Sequence, residues 1–179
     1  MLDKRSTILV VIDVQGNLAQ AMFEKERLFA SLVTLIRGAR LFELPIIWME
    51  QTPEKLGPTI KQIAAELVDR KPVAKSVFSC WRSPEFRTEL EKHPADSILL
   101  CGIETHVCVY QTAMDLLANN YHVEIVADAV SSRFKHNYTI GLEKIRGKGA
   151  EITTVETALF ELQKEVDGER FKKIIQLIK

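Results

Sequence analysis

The sequence predicts an α/β fold in which a parallel sheet lies between two layers of helices. Short apolar segments rich in β-branched residues alternate with longer amphipathic segments along the chain. This alternation is typical of parallel strands joined by crossover helices. No repeat, low-complexity tract or linker divides the 179 residues, so we expect one domain over residues 1–179.

The first part of the chain supplies two strands and a long helix. The segment TILVVI at residues 7–12 indicates a strand buried on both faces. A helix is predicted over residues 24–43, because apolar side chains recur there at helical spacing. Pro45 ends it, and a second strand is predicted at residues 46–49. The apolar stripe consists of Leu28, Leu32, Leu35, Ile36, Ala39 and Phe42.

The rest of the chain continues the alternation. Ser83 followed by Pro84 predicts a helix start, since serine is a common N-cap and proline favours the first helical position. Strands are predicted at residues 72–74, 97–101, 123–127 and 152–154. Helices are predicted near residues 59–68, over 84–91, from an N-cap at Thr105 to 119, and over 137–146, 156–164 and 169–178.

Composition and charge narrow the classes of function. Lys+Arg and Asp+Glu both number 24, and no basic stripe is visible. We therefore expect neither nucleic acid nor a membrane as a partner. No apolar stretch approaches the ~20 residues of a membrane span. The N-terminus lacks a secretory signal pattern and the three cysteines lack metal-ligand spacing, so a cytoplasmic location is predicted.

Two charged residues lie where parallel sheets bind ligands, at the carboxyl ends of strands. Asp13 directly follows the first strand and is placed to accept a proton; the alternative is a carboxylate that caps a turn. Lys75 follows the extended segment and is suited to keep a carboxylate ionised or to offset developing negative charge. The alternative is an ordinary solvated lysine.

Cys108 lies in GIETHVCVYQTA, residues 102–113. With Thr105 as N-cap, the cysteine is the third helical residue, where unpaired backbone amides are expected to lower the pKa of a thiol. The same amides can bind an oxyanion formed when the sulfur attacks a carbonyl. The alternative is a small core residue, the usual setting of a free cysteine.

Several side chains near these positions are candidates for a substrate pocket. Trp48, Trp81 and Tyr110 either wall a substrate pocket or pack in the core. Gln15 is predicted to join them in the pocket. Cys80, beside Trp81, is a further candidate.

Three segments together resemble the active-site motifs of the isochorismatase-like cysteine hydrolases. They are ILVVIDVQ (8–15), PVAKSVFSCW (72–81) and GIETHVCVYQTA (102–113), and they present Asp, Lys and Cys in the order of that family. VADAVSSR (126–133) and GLEKIRGKGAEITTVETALFEL (141–162) are similar to its later strand and helix. The resemblance extends over residues 8–162 and is strongest to the small isochorismatase domain-containing proteins.

The resemblance implies a three-layer α/β/α fold with a six-stranded parallel sheet of order 3-2-1-4-5-6. Asp13 would take the thiol proton of Cys108, and Lys75 would hold Asp13. Cys108 would attack a carbonyl carbon, giving a thioester acyl-enzyme that water hydrolyses. The backbone amides of Glu104 and Cys108 would form the oxyanion hole, with a cis peptide bond between Ile103 and Glu104.

Departures from the family narrow the expected reaction. WMEQTPEKL (48–56) lacks the Asp-x-His metal site that nicotinamidases of the superfamily carry, so no metal and no cofactor is expected. True isochorismatases cleave a vinyl ether without a cysteine at this position, so Cys108 favours C–N cleavage in a small amide, carbamoyl or ureido compound. Glu104 replaces a small residue, and either narrows the pocket or repels acidic substrates.

Other functions stay open at the level of sequence. They are a non-catalytic binding module on the same fold, a vinyl-ether hydrolase of the isochorismate type, and a redox role for Cys108. A homo-oligomer, a dimer or larger, is expected because family members usually associate. The C-terminal segment is expected to pack on the domain or on another subunit through Phe171, Ile174, Ile175, Leu177 and Ile178.

Overall fold

In the computed structural model, which describes residues 1–179, a six-stranded sheet lies between two layers of helices. The strands run in the order β3-β2-β1-β4-β5-β6 and every neighbouring pair is parallel, which confirms the predicted class and strand order. The strands are β1 (Thr7–Ile12), β2 (Ile46–Gln51), β3 (Val73–Lys75), β4 (Ser97–Ile103), β5 (His122–Ser131) and β6 (Glu151–Thr153).

Nine α-helices connect and follow these strands. They are α1 (Gly16–Gln20), α2 (Lys25–Leu41), α3 (Pro53–Leu56), α4 (Lys61–Ala64), α5 (Pro84–Leu90), α6 (Tyr110–Ala118), α7 (Lys135–Arg146), α8 (Val155–Gln163) and α9 (Gly168–Ile178). A 3-10 turn spans Cys80–Arg82 and a π-helical turn spans Thr105–Val109. None of the helices combines the length and the apolar character that a membrane crossing requires.

The core has two parts, one on each face of the sheet. Alternate residues of β1 point to opposite faces, so Leu9 and Val11 pack under α2, α8 and α9 while Val10 and Ile12 pack under α5, α6 and α7. The predicted apolar stripe of α2 is buried as expected. In α9, Ile174 is fully buried against the same domain.

Thr105 differs from its predicted role as an N-cap. Its hydroxyl is buried without a hydrogen-bond partner, and Glu104 holds the N-cap position. A π-helical turn precedes α6 there, and such turns frequently occur at functional sites. Gly141 of α7 packs closely against this turn, since an added Cβ at Gly141 would lie 3.1 Å from the His106 amide nitrogen.

Two unusual backbone positions shape the carboxyl ends of the central strands. Asp13, directly after β1, has φ 54°, a left-handed conformation that is uncommon outside glycine. Gly102 in β4 has φ 111°, and a Cβ there would lie 2.1 Å from the Ile12 carbonyl oxygen. The pairing of β4 with β5 also shifts register between Leu100 and Gly102. Only glycine fits this close approach of β4 to β1.

Candidate active site

A buried ion pair joins the ends of β1 and β3. Lys75 Nζ donates to Asp13 Oδ2 at 2.6 Å, and the two side chains are 0% and 2% exposed. Removing two charges from water carries a large penalty that only a close partner offsets, so each group fixes the other. The sequence placed both residues at this edge of the sheet, and the order β3-β2-β1 brings them together across β2.

Cys108 faces this ion pair from the π-helical turn. Its thiol lies within hydrogen-bonding reach of the Asp13 carboxyl group. Asp13 Oδ1 is buried and has no fully formed hydrogen bond, so this oxygen is free to accept a proton. Cys108 is buried but 7% exposed, in contrast to Cys80 and Cys101, which are 0% exposed.

Burial dominates the proton affinities of the three groups. Burial raises the pKa of Asp13, and the Lys75 charge offsets this only in part. Burial also raises the pKa of Cys108, and the Asp13 charge raises it further. Burial lowers the pKa of Lys75, but the negative charge of Asp13 and the hydrogen bond to it raise the pKa more, so Lys75 stays cationic. The lowered thiol pKa expected from the helix start is therefore wrong, and the resting thiol keeps its proton.

Lys75 uses all three of its ammonium protons within the protein. Besides Asp13, Nζ donates to Gln51 Oε1 at 2.7 Å and to the Val77 carbonyl at 3.2 Å. Sequence reasoning missed Gln51, because the second strand was predicted to end at residue 49 and only the β2–β3 register sets Gln51 beside Lys75.

Gln15, predicted for the pocket, supports Gln51 instead. Gln15 is 0% exposed. Its Oε1 accepts from the Gln51 N–H at 2.6 Å, and its Nε2 donates to the carbonyl oxygens of Gln51 at 3.1 Å and Gly57 at 2.7 Å. This side chain therefore binds backbone behind the site and does not face a substrate.

The other two cysteines are closed to solvent. Cys80 is fully buried in the 3-10 turn, and burial raises its pKa to about 12. It lies near Lys75 and Cys108, but it presents no surface to a substrate, contrary to the prediction that it lines the pocket. Cys101 is buried on the opposite face of the sheet from Cys108.

Trp48 does not reach the region of Cys108. It packs in the core on the other face of the sheet, and its Nε1 donates to Thr59 Oγ1 at 2.8 Å. The predicted pocket role of Trp48 is corrected on this ground. The alternation of side chains along β2 determines the face, and Met49 points to the Cys108 side instead.

Trp81 and Tyr110 also have partners of their own. The Trp81 ring packs edge-on against Tyr121, with centroids 5.8 Å apart, at the end of α6 remote from Cys108. Tyr110 is half-buried, and the Lys144 ammonium lies 4.6 Å from its ring centroid. Trp81 is thus directed away from the site, while Tyr110 stays next to it at the start of α6.

Glu104 is neutralised by Arg133. Glu104 Oε2 accepts from the Arg133 N–H at 2.9 Å, and Oε1 accepts from Arg133 Nε at 3.2 Å. The carboxylate therefore ties the end of β4 to the segment after β5 and does not stand as a free charge beside Cys108. The peptide bond between Ile103 and Glu104 is cis.

His122 lies at the opposite, amino end of the sheet. Its Nε2 is 3.1 Å from Glu124 Oε1 and 3.9 Å from Glu151 Oε2. The spacing of the histidines in the sequence indicates no metal site. The pairing of Glu124 with Glu151 between β5 and β6 brings both carboxylates close to His122. These side chains are separated from Asp13 and Cys108 by the length of the strands.

The fold and comparison with known proteins together identify the family of the chain. A carboxylate, an ammonium and a thiol meet at the carboxyl edge of a doubly wound parallel sheet, which places the chain among the α/β hydrolytic enzymes. The sequence model of the family described as the isochorismatase domain matches residues 7–157. The chain belongs to the isochorismatase family and has its hydrolase fold.

Several relatives match nearly the whole chain. A secreted isochorismatase effector, Isc1, of Phytophthora sojae is 38% identical over 180 residues, covering 97% of this chain and 85% of that protein. Isochorismatase domain-containing protein 2 of Xenopus laevis is 35% identical over 178 residues, covering 99% and 85%. The solved structure of the MAR1 ribonuclease of Caenorhabditis elegans has a TM-score of 0.92 and 31% identity, covering 99% of this chain and 91% of that one.

Proposed function

We propose that this protein is a metal-independent cysteine hydrolase that cleaves a C–N bond of a small amide, carbamoyl or ureido compound through a thioester acyl-enzyme. One observation carries the proposal: the Cys108 thiol lies within hydrogen-bonding reach of the Asp13 carboxyl group, whose Oδ1 atom has no assigned hydrogen-bond partner. A nucleophile with an acceptor at hand, itself oriented by a third group, is the arrangement of covalent catalysis. Lys75 is that third group.

Asp13 carries the proton in both halves of the reaction. The Cys108 thiol passes its proton to Asp13 Oδ1 while the sulfur attacks the carbonyl carbon. Protonated Asp13 then gives that proton to the leaving nitrogen, the C–N bond breaks, and the thioester remains. Water gives a proton to Asp13 and attacks the thioester, the C–S bond breaks to release the acid product, and the Cys108 thiolate takes the proton back from Asp13. The raised pKa of Asp13, due mainly to burial, suits both roles because a general acid–base works best near the operating pH.

Lys75 and two backbone amides supply the remaining electrostatics. All three Lys75 protons are held by protein acceptors, so this residue acts through its charge and position and not as a proton donor. The amides of Glu104 and Cys108 receive the oxyanion of the tetrahedral intermediate. The charge of Glu104 does not oppose this step, because Arg133 is bound to it.

Turnover by variants tests the proposal. We expect amine or ammonia release from at least one member of a panel of small amides, carbamoyl and ureido compounds. Cys108→Ala and Asp13→Asn should each lower turnover by about 10²-fold or more, since proton transfer alone contributes that much. Cys101→Ala, which alters a cysteine on the other face, serves as the matched control, and a chelator should leave the rate unchanged. Full turnover by either site variant contradicts the proposal.

The same panel separates the alternative functions. Binding of panel members without turnover would favour a non-catalytic module, and cleavage of a vinyl ether that survives Cys108→Ala would favour the isochorismate-type reaction. An RNA oligonucleotide belongs in the panel because the C. elegans structure is named a ribonuclease. The formal net charge of +0 argues against RNA as the substrate.

We further propose a cytoplasmic homo-oligomer. Phe78, Phe134 and Ile140 are more than half exposed, which supports burial by another subunit. A monomer mass by light scattering at micromolar concentration would contradict the oligomer.

Because the P. sojae relative is named a secreted effector, fractionation of the source cells and medium is the test of the proposed cytoplasmic location.

A further inference from the structure

Gln51 and its neighbour Glu50 point to opposite faces of the sheet. The β2–β3 register sets Gln51 beside Lys75 and Glu50 beside Ala74. Glu50 Oε1 accepts from the N–H of Thr59 at 2.7 Å and from its hydroxyl at 2.8 Å. The alternation of a strand thus gives the site the neutral amide and sends the carboxylate to the far face.

A neutral acceptor is what the buried Lys75 requires. Its ammonium has three protons. One is donated to Asp13 and another to the Val77 carbonyl, which leaves the third for Gln51. Without Gln51, one proton of a fully buried cation would have no partner, which is costly. With a carboxylate at position 51, Lys75 would be shared between two anions and the site would carry an extra negative charge.

Gln51 is itself held rigidly. Its N–H and its carbonyl are both bound by the fully buried side chain of Gln15, at 2.6 and 3.1 Å. The Gln51 Oε1 atom is therefore presented to Lys75 from a fixed main chain, as precise sites require.

We propose that Gln51 is a positioning residue that holds the Lys75 ammonium against Asp13 without adding charge, and so sets the readiness with which Asp13 accepts the Cys108 proton. This inference rests on the proposed cysteine hydrolase function. Gln51 acts through Lys75 and touches no substrate. Its influence is therefore visible in the reactivity of Cys108 itself.

The test is the rate of Cys108 alkylation by iodoacetamide from pH 5 to 11, with the site assigned by mass spectrometry. In the wild type, transfer of the thiol proton to Asp13 should make Cys108 alkylation at neutral pH faster than the ionised fraction of the thiol alone would predict. Asp13→Asn should abolish this excess rate. Gln51→Met should lower the excess by about tenfold. Gln51→Glu should keep the excess rate but shift the whole profile of alkylation rate against pH upward by about one pH unit, which corresponds to a tenfold change in proton affinity.

Another glutamine, the buried Gln163, provides the matched control. Gln163, at the end of α8, also binds a backbone carbonyl through Nε2, at 3.0 Å, but lies outside the site. Gln163→Met and Gln163→Glu should follow the wild-type profile. If Asp13→Asn reacts like the wild type, the proposed function fails. If Asp13→Asn loses the excess while both folded Gln51 variants keep the wild-type profile, only this inference is overturned. If Gln51→Met does not fold, the profile of Gln51→Glu decides.

Discussion

The two ends of the sheet hold their buried carboxylates in contrasting ways. At the carboxyl end, Asp13 is paired with Lys75, which is 0% exposed and has no room to leave. At the amino end, Glu124 is equally buried but its partner, His122, has 36% of its side chain exposed. Both partners of the first pair are closed to water, whereas the second pair is open to water on the side of His122. Burial of both partners is what distinguishes the candidate active site.

Left-handed backbone occurs at both ends, but for different reasons. Asn120, with φ 66°, follows α6 at the amino end, where such residues commonly terminate helices. Asp13, with φ 54°, directly follows a buried strand and carries the candidate base. Sparsely populated backbone conformations cluster at functional sites when the surrounding structure enforces them.

Removing Lys75 should have the largest effect on stability. Lys75→Met leaves a buried carboxylate without its cation, and breaking a buried pair from one side costs about 3–5 kcal/mol. The double variant Lys75→Met with Asp13→Asn should recover most of that loss. His122→Gln, at the half-exposed pair, should change stability by less than about 1 kcal/mol. Urea unfolding measures all three, and a Lys75→Met protein as stable as the wild type would contradict the contrast between the two ends.

Two glycines with similar φ test the packing at the two ends. Gly102→Ala meets the Ile12 backbone at 2.1 Å, whereas Gly149→Ala, in the loop before β6, meets nothing within 4 Å. Both substitutions carry the strain of positive φ, about 1–3 kcal/mol. Only Gly102→Ala adds overpacking, about 1–3 kcal/mol more. Equal losses of unfolding free energy in the two variants would show that β4 and β1 can separate without cost.

The smallest expected effect is the pH dependence conferred by Glu124. Burial raises its pKa, and the hydrogen bond from His122 offsets this in part. The folded protein therefore binds this proton more tightly than the unfolded chain. The contribution to stability is full below about pH 4.3, the ordinary glutamate value, and is lost as pH rises through the folded value.

Glu124→Gln removes that titration. Its stability relative to the wild type should therefore increase as pH rises from about 4 to 7, as measured by urea unfolding at a series of pH values. A stability difference that is constant with pH, or that falls, would show that the His122 contact governs Glu124.

Much of the architecture could be predicted from the sequence because it depends on local patterns. The apolar run of β1, the stripe of α2 and the Ser83 cap of α5, whose hydroxyl accepts from the Phe86 N–H, each report burial or capping directly. The order of Asp13, Lys75 and Cys108 along the chain, together with their strand-end positions, indicated one site. Strand-end residues of a parallel sheet meet at one edge whatever their separation in sequence.

Only the tertiary structure decided which side chains surround that site and how they hold their protons. Trp48 and Trp81 were candidates for the pocket in the sequence. In the structure, Trp48 lies on the opposite face of β2, and Trp81, in the 3-10 turn, packs against Tyr121. Gln51 became a partner of Lys75 through the β2–β3 register. The pKa of Cys108 is raised and not lowered, because desolvation and the charge of Asp13 depend on the packing of distant segments, which no local pattern encodes.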